Sequence, residues 1–321
     1  MEMTLVFGPI PSRRLGRSLG LNMIPAKVCT YSCVYCQVGL TLKMQAHREA
    51  FYDPETLVRE VEERVNNVRA SGEAIDYLTF VPDGEPTLER YLGREIRLLK
   101  RFGKIAVITN ASLIWREDVR RDLLEADWVS LKVDAVNEPL WRRINRPHRS
   151  LRLSWIMEGM VDFATTYSGI LNTESMLIRG INDQPKEAEE LAGFLSQLRP
   201  EKAYISVPTR PPAVAGVLPP SERSLTIFYQ VLSKRIPGVE YLVSYEGNEF
   251  VSTGDAEEDL LSILAVHPMR EEAVRELLSR AQADWSRVDR LLRQGLLLKT
   301  EYEKTTFYTR PLPQRSSRAG G

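Results

Sequence analysis

The sequence predicts an α/β fold, namely a partial (β/α)6 barrel of the TIM-like type with a C-terminal winged-helix domain. Two observations support this prediction. Short apolar runs alternate with amphipathic helical stretches from about residue 18 to residue 245, and the alternation stops beyond that point. The predicted domains are therefore residues 1–250 for the barrel, 251–312 for the winged helix and 313–321 for a disordered tail.

The apolar runs are the candidate strands of the sheet. Alternation of strand and helix, repeated about six times, indicates parallel strands with the helices outside. The runs are too few for a closed eight-stranded barrel, so we expect an open one, with its chemistry in the loops at the carboxyl ends of the strands. The runs lie at residues 18–24, 75–81, 104–109, 128–134, 170–177 and 202–207, with a less clear seventh at 239–245.

The helical stretches carry their own start signals. The first begins at Asp53-Pro54-Glu55, which combines an N-cap residue, a proline at the first helical position and an acid near the positive end of the helix dipole. Its apolar face consists of Leu57, Val58, Val61, Val65 and Val68. Further helices are predicted at residues 88–101, 115–126, 151–166, 185–198 and 222–235.

The C-terminal region has no further βα alternation. Glu257–Val266, Arg270–Ser279 and Trp285–Gln294 predict three short helices, and Gly295 ends the third. Residues 296–299 and 306–309 predict a two-stranded hairpin around a polar turn. Three helices and a hairpin are the outline of a winged helix, a module that docks nucleic acid, protein or peptide.

Composition excludes several classes of protein. Hydrophobic residues make up 43% of the 321, so a sizeable core is expected and global disorder is not. The 43 basic and 43 acidic residues cancel, so the net charge argues neither for nor against nucleic acid. Residues 1–14 do not resemble a secretory signal, and no run approaches the ~20 apolar residues of a membrane helix. We therefore expect a soluble, cytoplasmic protein with no membrane contact.

Three cysteines lie within eight residues, in the pattern Cys29-x3-Cys33-x2-Cys36. An odd number of cysteines in one cluster does not fit a disulfide framework. Three thiolates can hold three corners of a [4Fe–4S] cubane and leave the fourth iron open to a substrate. A structural zinc normally takes four ligands, and the nearby candidate, His47, has an unusual spacing. The pattern therefore favours a cluster over zinc.

The cysteine motif, with an aromatic residue (Tyr35) before its last cysteine, resembles the signature of the radical S-adenosylmethionine (SAM) superfamily. The resemblance covers roughly residues 7–245. Within it, residues 7–20 are similar to the opening of a subgroup that is distantly similar to the tRNA wybutosine-synthesis radical enzyme. The resemblance implies that SAM binds the open iron of the cluster and is cleaved after one electron enters. The resulting 5′-deoxyadenosyl radical then takes a hydrogen atom from the substrate. The implied metal ligands and catalytic residues are Cys29, Cys33 and Cys36.

Other motifs match the positions at which this family contacts SAM. Residues 83–87 match its G-G-E-P motif, although Asp83 replaces the first glycine, and an ordinary turn is the alternative interpretation. Ile178 lies in a partial match to an adenine-side motif. Polar residues at alternate positions of the fourth run share one face of a strand, which is also compatible with a structural Lys–Asp pair. The resemblance implies that the cofactor-binding residues are Tyr35, Gly84, Glu85, Pro86, Asn110, Ser130, Lys132, Asp134 and Ile178.

Clusters of arginine suggest an anionic substrate, because guanidinium groups bind phosphate and carboxylate bidentately. A solvated charge run is the alternative. RNA or another phosphate-bearing substrate is the first hypothesis and a ribosomally made peptide the second. Candidate substrate contacts are Arg13, Arg14, Arg142, Arg143, Arg146 and Arg210.

The predicted partners follow from the proposed chemistry. A flavodoxin- or ferredoxin-like reductant is needed to supply the electron. Arg287, Arg290 and Arg293 form a basic stripe on the third C-terminal helix, so that domain is a candidate for docking RNA or a peptide. A different class of protein, an iron–sulfur redox sensor that binds nucleic acid, would use the same cysteines and winged helix without any SAM-binding motif.

Overall fold

The computed structural model describes residues 5–243 and 255–311. Its main sheet has the order β1-β2-β5-β6-β7-β8-β9-β10, with β3 and β4 forming a separate short pair. The strands are β1 (Val6–Ser12), β2 (Gly16–Leu21), β3 (Val28–Cys29), β4 (Lys43–Met44), β5 (Tyr77–Phe80), β6 (Ile105–Thr109), β7 (Trp128–Lys132), β8 (Ile170–Met176), β9 (Lys202–Ser206) and β10 (Val239–Leu242).

The sheet curls into an open half barrel, as the sequence predicts. Strands β2 and β5 to β10 are all parallel, and each of the predicted apolar runs contains one of them. Strand β1 was not expected. It pairs with β2 in the antiparallel sense at the edge of the sheet, with an irregular register between Phe7 and Ile10. Pro9 and Pro11 interrupt its strand pattern, and an edge is where a strand tolerates residues that cannot donate a hydrogen bond.

Helices connect the parallel strands and cover the outside of the sheet. Leu57, Val61 and Val65 of the first helix are buried, as its amphipathic pattern predicts. One helix, α4, was missed, although Asn137 caps it by accepting a hydrogen bond from the Leu140 N–H at 3.1 Å. The barrel helices are α1 (Pro54–Ala70), α2 (Leu92–Leu99), α3 (Glu117–Leu123), α4 (Glu138–Asn145), α5 (Leu153–Thr166), α6 (Pro185–Leu198) and α7 (Glu222–Ser233).

The C-terminal unit has its own hydrophobic core and a three-stranded antiparallel sheet of order β11-β13-β12. Its hairpin turns at Glu303 and Lys304, both with positive φ, slightly later than predicted. The elements follow the predicted outline, and the winged-helix assignment remains a prediction. They are α8 (Ala256–Val266), β11 (Met269–Arg270), α9 (Glu271–Arg280), α10 (Ser286–Arg293), β12 (Leu298–Tyr302) and β13 (Thr305–Thr309).

The C-terminal unit contacts the barrel close to the carboxyl end of β9. The Tyr302 hydroxyl donates to the carbonyl oxygens of Pro208 and Val217, at 3.3 Å each. On another side, an Arg64 guanidinium nitrogen lies 3.6 Å from a carboxylate oxygen of Asp259 in α8. The predicted domain boundary at residue 250 and the predicted tail at 313–321 lie outside the described residues. None of the described helices is both long and apolar enough to cross a membrane.

Candidate active site

The cysteine loop, which we define as residues 22–42 between β2 and β4, carries the three cysteines. Side-chain nitrogen atoms donate hydrogen bonds to their sulfur atoms. Lys27 Nζ lies 3.2 Å from Cys36 Sγ. Asn110 Nδ2 lies 3.6 Å from Cys29 Sγ, and Asn145 Nδ2 lies 3.4 Å from Cys33 Sγ. Each cysteine sulfur therefore accepts a hydrogen bond from a different element of the barrel. Donors of this kind stabilise thiolates and tune the reduction potential of a cluster bound to them.

The cysteines are free and partly buried. Burial raises the pKa of the Cys29 thiol to about 12, with the Glu85 carboxylate acting in the same direction. Burial likewise raises the pKa of Cys33. Such thiols remain protonated at neutral pH until a metal displaces the proton.

A single bound metal ion does not fit the described residues. Across residues 5–243 and 255–311, no three His, Cys, Asp or Glu side chains are arranged to hold one. A [4Fe–4S] cubane differs, because its irons occupy separate corners and its three thiolates need not converge on one point.

The Gly84-Glu85-Pro86 turn supports the cysteine loop from below. A Cβ on Gly84 would lie 2.1 Å from the Val28 carbonyl oxygen, so only glycine fits here. The buried Glu85 carboxylate accepts hydrogen bonds from Thr109 Oγ1 at 2.5 Å and from the Asn110 N–H at 2.8 Å. Glu85 therefore holds Asn110, which in turn donates to Cys29.

Tyr35 is held by Asp134, which follows β7. The Tyr35 hydroxyl donates to the Asp134 carboxylate, which also accepts from Asn145 Nδ2 at 2.7 Å and from the Met176 N–H at 2.8 Å. Because Asn145 bonds Cys33 as well, Asp134 links the end of the sheet to the cysteine loop. The contacts of Asp134 are thus with protein groups.

Three charged side chains meet on neighbouring strands beside Tyr35. Lys132 on β7 and Glu174 on β8 are register partners, with Nζ 2.8 Å from Oε1. Arg14, after β1, bonds the other carboxylate oxygen. Burial alone raises the pKa of Glu174, but Lys132 and Arg14 more than offset it and hold the pKa well below its usual range. Because two cations, Lys132 and Arg14, surround the single carboxylate of Glu174, this cluster of side chains carries a net positive charge.

A cavity of about 320 Å³ lies between the cysteine loop and the carboxyl ends of the strands. Nine of the predicted site residues line it: Cys29, Cys33, Cys36, Tyr35, Gly84, Lys132, Arg13, Arg14 and Arg210. The other nine do not: Glu85, Pro86, Asn110, Ser130, Asp134, Ile178, Arg142, Arg143 and Arg146.

Four of these nine residues have the following positions. Pro86 is buried and begins a short 3-10 turn. Ser130 is buried with no partner for its hydroxyl among the described residues. Ile178 is buried, and its N–H donates to Asn182 Oδ1 at 2.8 Å. Arg142 lies on the outer face of α4, where it pairs with Glu138 at 2.6 Å.

Asp83 lines the cavity at the position where the motif has glycine. Burial raises its pKa to about 6, against the opposing effect of the Lys27 ammonium. Its Oδ1 has no hydrogen-bond partner within the part of the chain that the structure describes. The side chain is therefore available to a cationic or hydrogen-bonding group in the cavity.

The C-terminal unit closes one side of the cavity. Arg210, after β9, donates to Gln37 Oε1 and contacts His267 Nε2, at 2.9 Å each. Gln37 directly follows Cys36, and His267 directly follows α8. Burial and the nearby guanidinium hold the pKa of His267 well below its usual range, so its imidazole is neutral and accepts from Arg210. No sequence motif marks the contact between Arg210 and His267.

Comparisons with known proteins agree with this geometry. The family model for the Radical SAM superfamily matches residues 23–192. A UPF0026 protein of Methanocaldococcus jannaschii is 46% identical over 98% of both chains. A UPF0026 protein of Helicobacter pylori is 30% identical over 84% of this chain and 87% of its own.

The fold is also that of solved structures. A radical SAM methyltransferase from Sphaerobacter thermophilus superposes with a TM-score of 0.55 at 21% identity, over 71% of this chain and 67% of its own. At that identity the likeness concerns the fold alone. The family match and the identity to full-length relatives carry the assignment, and the chain belongs to the radical SAM superfamily.

Proposed function

We propose that this chain is an enzyme that reductively cleaves SAM at a [4Fe–4S] cluster held by Cys29, Cys33 and Cys36. When bound, the cluster and SAM supply a 5′-deoxyadenosyl radical that takes a hydrogen atom from the substrate. The observation that carries the proposal is that all three cysteines line one cavity and each sulfur has its own nitrogen donor. Three thiolates leave one iron of a cubane without a protein ligand, on the cavity side.

The residues around the cysteines position the reactants and exclude water. Glu85 fixes Asn110, and Asp134 fixes Tyr35 and Asn145, so two buried carboxylates set the shape of the loop. Val266 and His267 of the C-terminal unit cover a side of the cavity that would otherwise be open. A covered cavity protects a reactive radical from solvent.

The charges of the cavity favour an anionic substrate. Its lining carries five cationic side chains, Arg13, Arg14, Lys27, Lys132 and Arg210, against the two carboxylates Asp83 and Glu174. Lys27 donates a hydrogen bond to a cysteine sulfur, and one further cation can bind the carboxylate of SAM. The remaining cations can bind a phosphate or carboxylate of the substrate. RNA or another anionic molecule is therefore favoured over a peptide.

The size of the cavity limits how such a substrate enters. The same cavity of about 320 Å³ would also hold the cluster and SAM, so only the reacting part of a substrate can reach it and no RNA helix can enter. An RNA substrate would therefore present an unstacked base or a single-stranded end.

The alternative function, a redox sensor that binds nucleic acid, needs a free basic surface on the C-terminal unit. On α10, however, Arg287 and Arg290 both pair with Glu257 of α8. The guanidinium of Arg293 donates to the Asp289 carbonyl oxygen at 3.3 Å. This pairing lowers the charge available to nucleic acid and favours the enzyme over the sensor.

The test is SAM cleavage. The protein is reconstituted anaerobically with iron and sulfide, reduced with dithionite and given SAM, and 5′-deoxyadenosine is quantified by mass spectrometry. We expect 5′-deoxyadenosine from the wild type and none from a Cys33→Ala variant. A [4Fe–4S] cluster that assembles fully but yields no 5′-deoxyadenosine, even with cell extract as a source of substrate, would contradict the proposal and favour the sensor.

A further inference from the structure

Residues 143–152, which end α4 and join it to α5, form a segment that is hydrogen-bonded directly to the cysteine loop. The Val34 N–H donates to the Ile144 carbonyl oxygen at 2.9 Å, and the Ser32 N–H donates to the Asn145 carbonyl oxygen at 3.0 Å. In the other direction, the His148 N–H donates to the Thr30 carbonyl oxygen at 2.9 Å. The segment therefore covers the loop over most of the span between Cys29 and Cys36.

This segment carries exposed arginines without acidic partners. None of them makes an ion pair with any residue that the structure describes, in contrast to Arg142, which pairs with Glu138. None of them lines the cavity. We call the set the arginine surface; it consists of Arg143, Arg146, Arg149 and Arg152.

We propose that the arginine surface is the docking site of an acidic one-electron carrier protein that reduces the cluster. The inference rests on the proposed function, since only a cluster that must be reduced needs such a partner. Four unpaired cations attract an acidic partner and speed its encounter. Electron-transfer complexes are short-lived and use small interfaces, so a surface of this size is sufficient.

The position of the surface suits electron entry better than substrate recognition. Arg146 directly follows Asn145 in the chain, and Asn145 Nδ2 lies 3.4 Å from Cys33 Sγ. A single residue, Asn145, therefore separates the arginine surface from a proposed cluster ligand. SAM and substrate need the cavity, where Arg13 and Arg210 already supply positive charge. An electron carrier needs only proximity to the cluster, because electron tunnelling falls steeply with distance.

The proposed step transfers one electron. It leaves the reduced flavin or iron–sulfur centre of the carrier, which is thereby oxidised by one electron. It reduces the cluster held by the three cysteines by one electron, and no bond forms or breaks. An RNA substrate that bound the same arginines would instead leave this step unaffected.

The experiment reverses the charge of two arginines that have neither a left-handed backbone nor a helix-capping position. Arg143→Glu with Arg149→Glu spares Arg146, which has a left-handed backbone, and Arg152, which is the N-cap residue of α5. The matched control is Arg121→Glu with Arg223→Glu. These two arginines are exposed on α3 and α7 and also make no ion pair within the described ranges. The probe is reduced flavodoxin, mixed anaerobically with the reconstituted enzyme, and cluster reduction is followed by stopped-flow absorbance.

We expect the rate of reduction by flavodoxin at low salt to fall by about tenfold or more in the R143E/R149E variant and to remain unchanged in the control. At about 0.5 M salt the difference should largely disappear, because such charges are then screened. With dithionite and SAM, the variant should form as much 5′-deoxyadenosine as the wild type. Failure of the proposed function would abolish that product in every protein and is thus distinguishable.

A wild-type rate of reduction by flavodoxin in the R143E/R149E variant at low salt would overturn the inference. If that variant also retained single-stranded RNA more weakly in a gel-shift assay, the arginine surface would be assigned to RNA.

Discussion

The Lys27 ammonium lies 3.2 Å from the Cys36 sulfur, although Lys27 is only 2% exposed. Burial opposes the charge, but the neighbouring Cys36 and Cys29 sulfurs outweigh it and raise the pKa of Lys27. The cation is therefore permanent, and it neutralises part of the negative charge of three thiolates. A fixed positive charge beside a cluster favours its reduced, more negative state.

We therefore expect Lys27→Gln to make the cluster harder to reduce. The midpoint potential should fall by about 60 mV, which corresponds to a tenfold change in the equilibrium constant for one electron. An EPR-monitored redox titration of the reconstituted protein measures the shift. The control is Lys43→Gln on strand β4, whose lysine is exposed and pairs with Glu49 at 3.3 Å. Equal potentials for the two variants would contradict the role of Lys27.

Glu174→Gln tests the buried ion pairs of β7 and β8. The change leaves Lys132 and Arg14 close together without their shared carboxylate, and breaking a buried pair costs about 3–5 kcal/mol. The control is Glu240→Gln, which removes an exposed pair with Lys202 and should cost less than about 1 kcal/mol. Urea denaturation gives both free energies of unfolding. Similar losses of unfolding free energy in the two variants would show that the ion pairs of Glu174 stabilise the protein no more than an exposed pair does.

The sheet could be predicted because its parallel strands are buried and read as apolar runs. Strand β1 could not, since Pro9 and Pro11 are typical of turns and only an edge position tolerates them in a strand. Helix α4 was not predicted, because its arginines indicate a binding segment more strongly than Asn137 indicates an N-cap. Its start, Asn137-Glu138-Pro139, has the same types of residue as Asp53-Pro54-Glu55, with the proline and the acid in the opposite order.

The sequence predicts the site residues that belong to motifs. It does not predict those that reach the site only through the packing of the fold. Cysteine spacing located the loop, but nothing in the sequence marked Lys27 or Asn145 as donors to its sulfur atoms. Glu174 left a weaker signal than Lys132, because it lies in a run of four consecutive polar residues on β8, whereas Lys132 alternates with apolar residues on β7. Glu85 is predicted to contact the cofactor, which stays a prediction, and the structure shows that it also accepts hydrogen bonds from Thr109 and Asn110. Motifs identify which residues matter but do not distinguish contact with a ligand from support of the loop.

Asp83 predicts a pH dependence of stability. Its folded pKa of about 6 exceeds the ordinary value of 3.8, so the folded state binds the proton more tightly than the unfolded state does. The stability from this group is full below pH 3.8 and is lost as the pH rises through 6. An Asp83→Asn variant lacks this titration, and its stability relative to wild type should rise by about 2 kcal/mol between pH 4 and pH 7.

Urea denaturation of the cluster-free, reduced protein between pH 4 and pH 7 measures this difference. The control is Asp53→Asn, because Asp53 is exposed and its side chain accepts a 3.4 Å bond from the Thr56 hydroxyl of α1 but none from the described backbone of that helix. A constant difference between Asp83→Asn and wild type across this range would show that Asp83 titrates normally.

Gly84→Ala tests whether the glycine of the motif supports the cysteine loop. The added methyl group would lie 2.1 Å from the Val28 carbonyl oxygen and 2.8 Å from a side-chain carbon of Ile24, so the loop has to move. We expect a loss of about 1–3 kcal/mol in stability, as for other overpacked sites. Because Cys29 follows Val28, iron content per chain after reconstitution should fall as well.

The matched control for that change is Gly193→Ala in α6. Among the described residues outside its own stretch of helix, no atom lies closer than 3.8 Å to the added methyl group there, and alanine favours a helix by about 0.5–1 kcal/mol over glycine. This variant should therefore be slightly more stable than wild type and bind the full amount of iron. If Gly84→Ala also retained full iron and stability, Gly84 would be required by the ligand rather than by the loop. SAM binding, followed by equilibrium dialysis, would then be the property that the methyl group impairs.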